Sequence, residues 1–260
     1  MLIEVEGLPV ELLGSRAVWM PRSASLLLAD LHLGKAQSFR SRAVPVPAGT
    51  TASALARLDA LIASRPAREL IVLGDFLHDR RAFDSSALPS FVAWRARYPS
   101  LTIHLVRGNH DRAAGDPPPE CGIEVEPESL ERGGLMLRHE PEPAAEGFAI
   151  VGHLHPVVRL IGAVDRLRLP CFWLRARALV LPAFGEFTGG WPVQAAPTDR
   201  LFVADGQRVL EVPAKARLNN RSRVTPPRPA RYSAPSGGDT HPLAGVELGA
   251  PGGSRRGANS

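Results

Sequence analysis

Cysteine is almost missing from this chain: Cys121 and Cys171 are the only two among 260 residues, and they stand in no C-x-x-C spacing. That excludes a disulfide framework, leaves no thiolate pair for a metal, and fits a reducing compartment. Long apolar runs are missing as well. No stretch approaches the roughly 18 consecutive apolar residues of a spanning helix, and the N-terminus, MLIEVEG, carries acids where a secretory leader would carry a basic region. Membrane insertion is therefore not expected, and the expected location is cytoplasmic. A basic bias is missing from most of the chain too, although the formal charge is +5 and the pI is near 10.0. From Lys215 to Ser260, eight Lys or Arg face two acids for a net of +6, which leaves −1 for everything before it. The high pI belongs to the C-terminal end and gives the rest of the chain no general affinity for polyanions.

What is present fits an α/β domain. With 44% hydrophobic residues in 260, the chain can bury a substantial core. Short runs at Leu2 to Glu6, Val10 to Leu13 and Ala17 to Met20, separated by Gly7, Pro9, Gly14 and Pro21, predict hairpin strands. Ser25 to Ala29, Glu69 to Leu73 and Leu101 to Val106 are continuous apolar runs suited to strands buried on both faces. Between them, Thr50 to Ser64 places Leu55, Leu58, Leu61 and Ile62 on one helical stripe, and Ser85 to Tyr98 predicts a second helix with Phe91, Val92 and Trp94 in its core. Alternating strands and helices argue for a largely parallel sheet. The later runs, Leu135 to Arg138, Phe148 to Val151, Val157 to Ile161 and Ala178 to Leu181, have few helices between them and predict a second sheet stacked on the first. The organisation expected is a domain over 1–213 and a disordered Pro/Gly/Ser/Arg-rich tail over 214–260.

Polar residues break out where the apolar runs end: Asp30-Leu31-His32, Gly74-Asp75, Gly108-Asn109-His110-Asp111, His139 and Gly152-His153-Leu154-His155. Ligands of open α/β sheets gather outside the carboxyl ends of strands, so five such ends point to one shared site. Imidazole with carboxylate suits manganese, iron, zinc or cobalt. Seven candidates (Asp30, His32, Asp75, Asn109, His139, His153, His155) are too many for one tetrahedral ion. Two ions about 3.5 to 4 Å apart, with one carboxylate shared, would use them all and would activate water for displacement at phosphorus. His110 neighbours a candidate ligand without being needed as one, so it suits a general acid. Asp111 has two readings, orienting the His110 ring or capping the turn. His104, inside an apolar run, is expected to be a core or edge histidine. Lys35, Arg80, Arg81 and Arg107 lie near the site in sequence, as phosphate contacts or as solvated charges.

The order D-x-H, G-D, G-N-H-D, H, G-H-x-H resembles the calcineurin-like metallophosphoesterases. Asp30 to Lys35, Pro45-Val46-Pro47-Ala48-Gly49 and Leu181 to Gly190 are similar to a narrower branch, the ligase-associated DNA damage response endonucleases of the PdeM family, over roughly residues 1–212. The resemblance implies an α/β sandwich of two stacked mixed sheets flanked by helices. It implies two divalent ions, manganese first, with Asp30, His32 and His155 on one, Asn109, His139 and His153 on the other, and Asp75 bridging. It also implies His110 as general acid, a phosphodiester substrate such as DNA, and a DNA ligase, an exonuclease and a helicase as functional companions in repair. The pattern departs from the broad family after Gly74-Asp75, where His78, Asp79, Arg80 and Arg81 stand with no role assigned. On the same core, a small-molecule phosphomonoesterase or nucleotide hydrolase is the alternative, and a non-catalytic scaffold a more distant one.

The tail carries Arg217, Arg221, Arg223, Arg228 and Arg231 among prolines. As a basic arm it would neutralise backbone phosphates, each adding about 0.9 to the slope of log affinity against log salt on duplex DNA; as a solvated tail it would add nothing. Cutting the chain after Pro213 is expected to leave metal binding intact but to weaken DNA binding and flatten its salt dependence by several units. Titrations of both forms onto labelled DNA at several salt concentrations check this, and equal slopes would leave the arm without that role.

Overall fold

The computed structural model describes residues 1–47, 49–142, 147–161 and 166–213. The expectation of a disordered tail lies outside them. The first half forms a seven-stranded sheet, β1 (Leu2–Val5), β2 (Leu8–Leu13), β3 (Ala17–Met20), β4 (Ser25–Ala29), β5 (Glu69–Leu73), β6 (Thr102–Val106) and β7 (Glu124–Glu126), in that spatial order. Strands β1 to β4 are antiparallel hairpins, and β4 to β7 run parallel. Four helices accompany it: α1 (Lys35–Ser41), α2 (Thr50–Ser64), α3 (Ala87–Arg95) and α4 (Asn109–Ala114).

The second half forms a nine-stranded sheet from β8 (Ser129–Arg132), β9 (Leu135–Arg138), β10 (Ala149–Val151), β11 (Pro156–Ile161), β12 (Arg166–Leu174), β13 (Ala178–Val180), β14 (Trp191–Pro192), β15 (Arg200–Ala204) and β16 (Val209–Glu211). Its order is β14-β11-β12-β13-β10-β9-β8, with β15 on β12 and β16 on β15. Strands β9, β10 and β13 are parallel neighbours.

Period-2 alternation decides which face of the first sheet meets what. In β4 and β5, Leu26, Leu28, Leu70 and Val72 pack under α2 and α3 with Leu58, Phe91 and Trp94. Their alternates Leu27, Ala29, Ile71 and Leu73 face the second sheet, against Leu135, Leu137, Ile150, Phe172 and Phe202. Both faces of these strands are thus apolar, which is why they read as unbroken hydrophobic runs. Trp173, by contrast, is only partly buried on the outer side of the second sheet, where its indole N–H donates to Asp199 Oδ2 at 2.9 Å.

α2 and α3 are joined by one polar anchor. Asp59 Oδ1 accepts the Trp94 indole N–H at 2.7 Å and the Tyr98 hydroxyl at 2.6 Å, and Arg97 holds both carboxylate oxygens. Asp59→Ala would strand the Trp94 N–H, whose residue is 2% exposed, at a cost of about 1–3 kcal/mol. The expected outcome is a lower urea midpoint with an unchanged slope, since the surface exposed on unfolding stays the same.

Candidate metal centre

The carboxyl ends of β4, β5, β9 and β10 lead directly into Asp30, Gly74-Asp75, His139 and Gly152-His153, and that of β6 leads through Arg107 into Gly108-Asn109. The turns after β4 and β5 stay zipped together beyond the strands. Asp30 N–H donates to Gly74 O at 3.1 Å, His32 N–H to Asp75 O at 2.8 Å and Leu33 N–H to Phe76 O at 2.8 Å. Of the ten non-glycine residues with positive φ among the described residues, five are candidate ligands: Asp30 (57°), His32 (49°), Asp75 (52°), His153 (66°) and His155 (45°). That region is disfavoured for side chains with a Cβ, at a cost of order 1–3 kcal/mol each, and such outliers collect at functional sites. Two glycines make the close approach possible. A Cβ on Gly74 would lie 2.1 Å from His139 Nδ1, and one on Gly108 would lie 2.2 Å from Asp75 Oδ1.

The side chains converge as the strand ends do. Asp75 sits in the middle, with Oδ2 3.7 Å from His32 Nε2 and Oδ1 3.5 Å from His139 Nε2. Asp30 Oδ1 is 3.1 Å from His155 Nε2, and its Oδ2 accepts the His153 N–H at 3.0 Å. Asn109 Oδ1 lies 3.1 Å from both His139 Nε2 and His153 Nδ1. Asp30, His32, Asp75 and His139 are buried, His153 and His155 half-buried, and Asn109 exposed at the rim. Their donor atoms fall into two groups that share Asp75: Asp30, His32, Asp75 and His155, and Asp75, His139 and His153.

Backbone carbonyls set the tautomers. His139 Nδ1 meets Leu73 O at 2.9 Å and His155 Nδ1 meets Thr188 O at 3.2 Å. Each therefore donates its Nδ1–H outward and turns Nε2 inward. Both ring nitrogens of His32 are buried without a hydrogen-bond partner, and Asp30 Oδ1 and His155 Nε2 have only each other, at 3.1 Å. Orphaned polar atoms of this kind cost free energy unless something else satisfies them. Convergent lone pairs from carboxylate, imidazole and amide suit a divalent cation, so the residues fit a dinuclear metal site. Burial, then Lys35, holds His32 well below the usual imidazole range, and burial, then His139, lowers His153. For His155, burial pulls the pKa down, but the contacts with Asp30 and the Thr188 carbonyl outweigh it and raise it. A cation there would take that proton's place. The two cysteines take no part; both are buried, and burial pushes their thiols up to about 11 for Cys121 and about 12 for Cys171.

His110 lies at the mouth, 37% exposed at its side chain, with Nε2 4.0 Å from Asp75 Oδ2 and its N–H donating to Asp75 Oδ1 at 3.0 Å. The expectation that Asp111 orients its ring is corrected here: His110 Nδ1 meets the His78 carbonyl at 2.6 Å instead. Asp111 takes the cap reading, with Oδ2 accepting from Gly108 N–H at 2.9 Å and Oδ1 from Leu77 N–H at 3.2 Å. Burial raises its pKa to about 6 while those donors pull the other way. His78, left without a role by sequence reasoning, stacks on His110 at 5.1 Å, and its ligand atoms group with those of His32 and His110. Burial, then Lys35, lowers it to about 4.

Lys35 stands half-buried in the field of Asp75 and Asp30, and burial lowers its pKa. Arg80 and Arg81 are exposed, and Arg107 is tied to Asp116 at 2.7 Å. His104 is a buried strand histidine near Glu124 and Glu126, apart from the site as expected. A further contributor was missed, the segment after β13. Phe184 N–H donates to Ala29 O at 2.8 Å, Gly185 N–H to Asp30 O at 3.0 Å, and Thr188 supplies the carbonyl under His155. Its residues were visible as the Leu181 to Gly190 motif, but nothing in their types announced a supporting role.

The sequence model for calcineurin-like phosphoesterases matches residues 25–226. Among solved structures, the Pseudomonas putida nuclease MPE is 43% identical, over 82% of this chain and 99% of that one, at a TM-score of 0.73. The Aquifex aeolicus protein of unknown function AQ665 is 20% identical, over 50% of this chain and 77% of that one, at a TM-score of 0.34, too slight a likeness to argue from. No curated protein matches. Two stacked mixed sheets, donor groups at five strand ends and a family match over most of the length agree: the chain belongs to the calcineurin-like phosphoesterase family.

Proposed function

We propose that this chain is a two-metal phosphodiesterase that cuts DNA. The observation that carries the reading is Asp75, whose two oxygens face different donor sets, Oδ2 toward His32 and Oδ1 toward His139. Asp30, His32 and His155 would hold one ion, Asn109, His139 and His153 the other, and Asp75 would bridge them. When bound, the ions would supply Lewis acidity toward phosphoryl oxygens and a water nucleophilic at neutral pH. Manganese is the first expectation, and the donors, carboxylate, imidazole and amide without thiolate, suit iron, zinc and cobalt as well.

The remaining work falls to side chains. His110, with Nδ1 held by the His78 carbonyl, presents Nε2 at the mouth and donates its proton to the leaving oxygen. His78 stacks behind it and limits its rotation. Asp111 keeps the turn beneath both in place by satisfying two buried backbone N–H groups. Action on a phosphodiester in DNA is supported by the nuclease identity of the P. putida relative and by the PdeM-like motifs, which also support a role in repair beside a ligase, an exonuclease and a helicase. A panel of a phosphate monoester, a small diester, nucleotides and single- and double-stranded DNA, each with added manganese, tests the substrate class. Turnover of monoesters or nucleotides alone would sink the DNA assignment.

Asp75→Asn is expected to lower metal content and activity more than the loss of any single terminal ligand, because one carboxylate neutralises and spaces both ions. Elemental analysis that finds two ions per chain with normal turnover would end the bridging assignment.

His110→Ala should keep its metal while turnover on DNA falls by about 10²- to 10⁴-fold, the usual contribution of a general acid. The loss should shrink on a nitrophenyl diester, whose leaving group needs no proton. An equal loss on both substrates would count against the acid role.

A further inference from the structure

We infer that Arg57, assisted by Arg16, is a positioning residue for the donor set of Asp30, His32 and His155, acting through the Ala183 to Thr188 segment; the inference rests on the two-metal reading above. Arg57 projects from α2, and its Nη2 donates to Phe184 O at 2.5 Å while the guanidinium lies 4.2 Å over the Phe184 ring. Arg16, in the β2–β3 turn, donates from Nη1 to Ala183 O at 3.2 Å. Two guanidiniums thus grip two consecutive carbonyls. Both are mostly buried, and burial lowers both, Arg57 to about 10. The carboxylate that acts on both is Glu186, itself held by Ser53 Oγ at 3.1 Å. Burying two cations to hold main-chain carbonyls is costly. The return has to come from what those carbonyls belong to.

They belong to the segment that underlies one donor set. Phe184 N–H and Gly185 N–H bond the carbonyls of Ala29 and Asp30, and a Cβ on Gly185 would lie 2.5 Å from Leu31 O. Three residues on, the Thr188 carbonyl meets His155 Nδ1 at 3.2 Å. The clamp therefore fixes the backbone at Asp30, whose φ is 57°, and the tautomer of His155. The other donor set depends on the clamp less: His139 Nδ1 is held by Leu73 O, within β5, and His153 Nδ1 meets Asn109 Oδ1, so only the main-chain N–H of His153, on Asp30 Oδ2, touches a residue the clamp fixes. Loosening the clamp should weaken one ion and spare the other.

The test is calorimetric titration of metal-stripped full-length protein with manganous chloride, with elemental analysis after dialysis. Wild type should take two ions. Arg57→Met should lose at least about tenfold in affinity at one site, in the range for groups that orient ligands, and keep the other. The surviving site should match that left in His155→Ala, and Arg57→Lys, which retains a donor, should recover most of the loss. Two wild-type sites in a folded Arg57→Met, even one with a lower melting temperature, would make Arg57 merely structural and overturn the inference. Equal weakening of both sites would overturn it too. Fewer than two ions on wild type would instead overturn the two-metal reading. If Arg57→Met does not fold, Arg16→Met carries the same requirement: one weakened site supports the inference, and an unchanged isotherm overturns it.

Discussion

Two parallel strands, β4 and β5, end side by side, and the chain leaving each turns left-handed at a carboxylate. From that constraint the rest of the site follows. Asp30 and Asp75 are 0% and 2% exposed, and two carboxylates cannot be left in such surroundings without partners. Three rings close on them, His32 from the same β4 turn and His139 and His155 from the second sheet. The two sheets are thus needed together. The first supplies Asp30, His32, Asp75 and Asn109, and the second supplies His139, His153 and His155. The apolar layer between them, from Leu27 and Leu73 to Ile150 and Phe172, holds the two half-sites in register.

The half-sites are built differently. His139 follows β9 directly and is braced by a carbonyl of β5, so regular structure on both sides fixes it. His155 is braced by Thr188, in a segment joined to β4 by one isolated bridge and two backbone bonds. A site on strands keeps its geometry more readily than one on a loop. The loop-borne half therefore needs help, and the half-buried arginines beneath it are the groups placed to give it.

Much of this was legible in the sequence, and the parts that were not share a cause. The strand runs at Ser25 and Glu69 matched their elements residue for residue because burial on both faces leaves an uninterrupted apolar signal, and the run at Leu135 matched although its burial alternates. The candidate ligands stood out because each broke such a run. Helix α4 escaped notice because it begins at Asn109 itself, and a helix whose first residues are Asn, His and Asp has no apolar stripe to read. Helix α1, with only Ala36 and Ser38 buried, is hidden for the same reason. The helix expected to reach Tyr98 stops at Arg95, and the chain closes in tighter turns with Arg97 N–H on Trp94 O and Tyr98 N–H on Arg95 O. Asp111 could be read two ways because its partners, Gly108 and Leu77, lie 3 and 34 residues away, and only the nearer is local. Arg57 and Arg16 bond residues 127 and 167 positions on, a distance no local pattern spans.

The strain and the orphaned atoms at this site bear on why the fold keeps them. Five left-handed non-glycine residues and the two unpartnered ring nitrogens of His32, among the candidate ligands, all weigh against the folded chain. An unfolded chain has none of these costs, and it has no assembled site either. A cation that binds the converged donors therefore binds the native state alone, and by mass action it stabilises that state in proportion to the logarithm of its concentration over its dissociation constant. The geometry least favourable to the chain by itself is then the geometry most favourable with its ions. On the two-metal reading, stability and activity would draw on the same seven side chains, so selection for the chemistry would also maintain the fold around it.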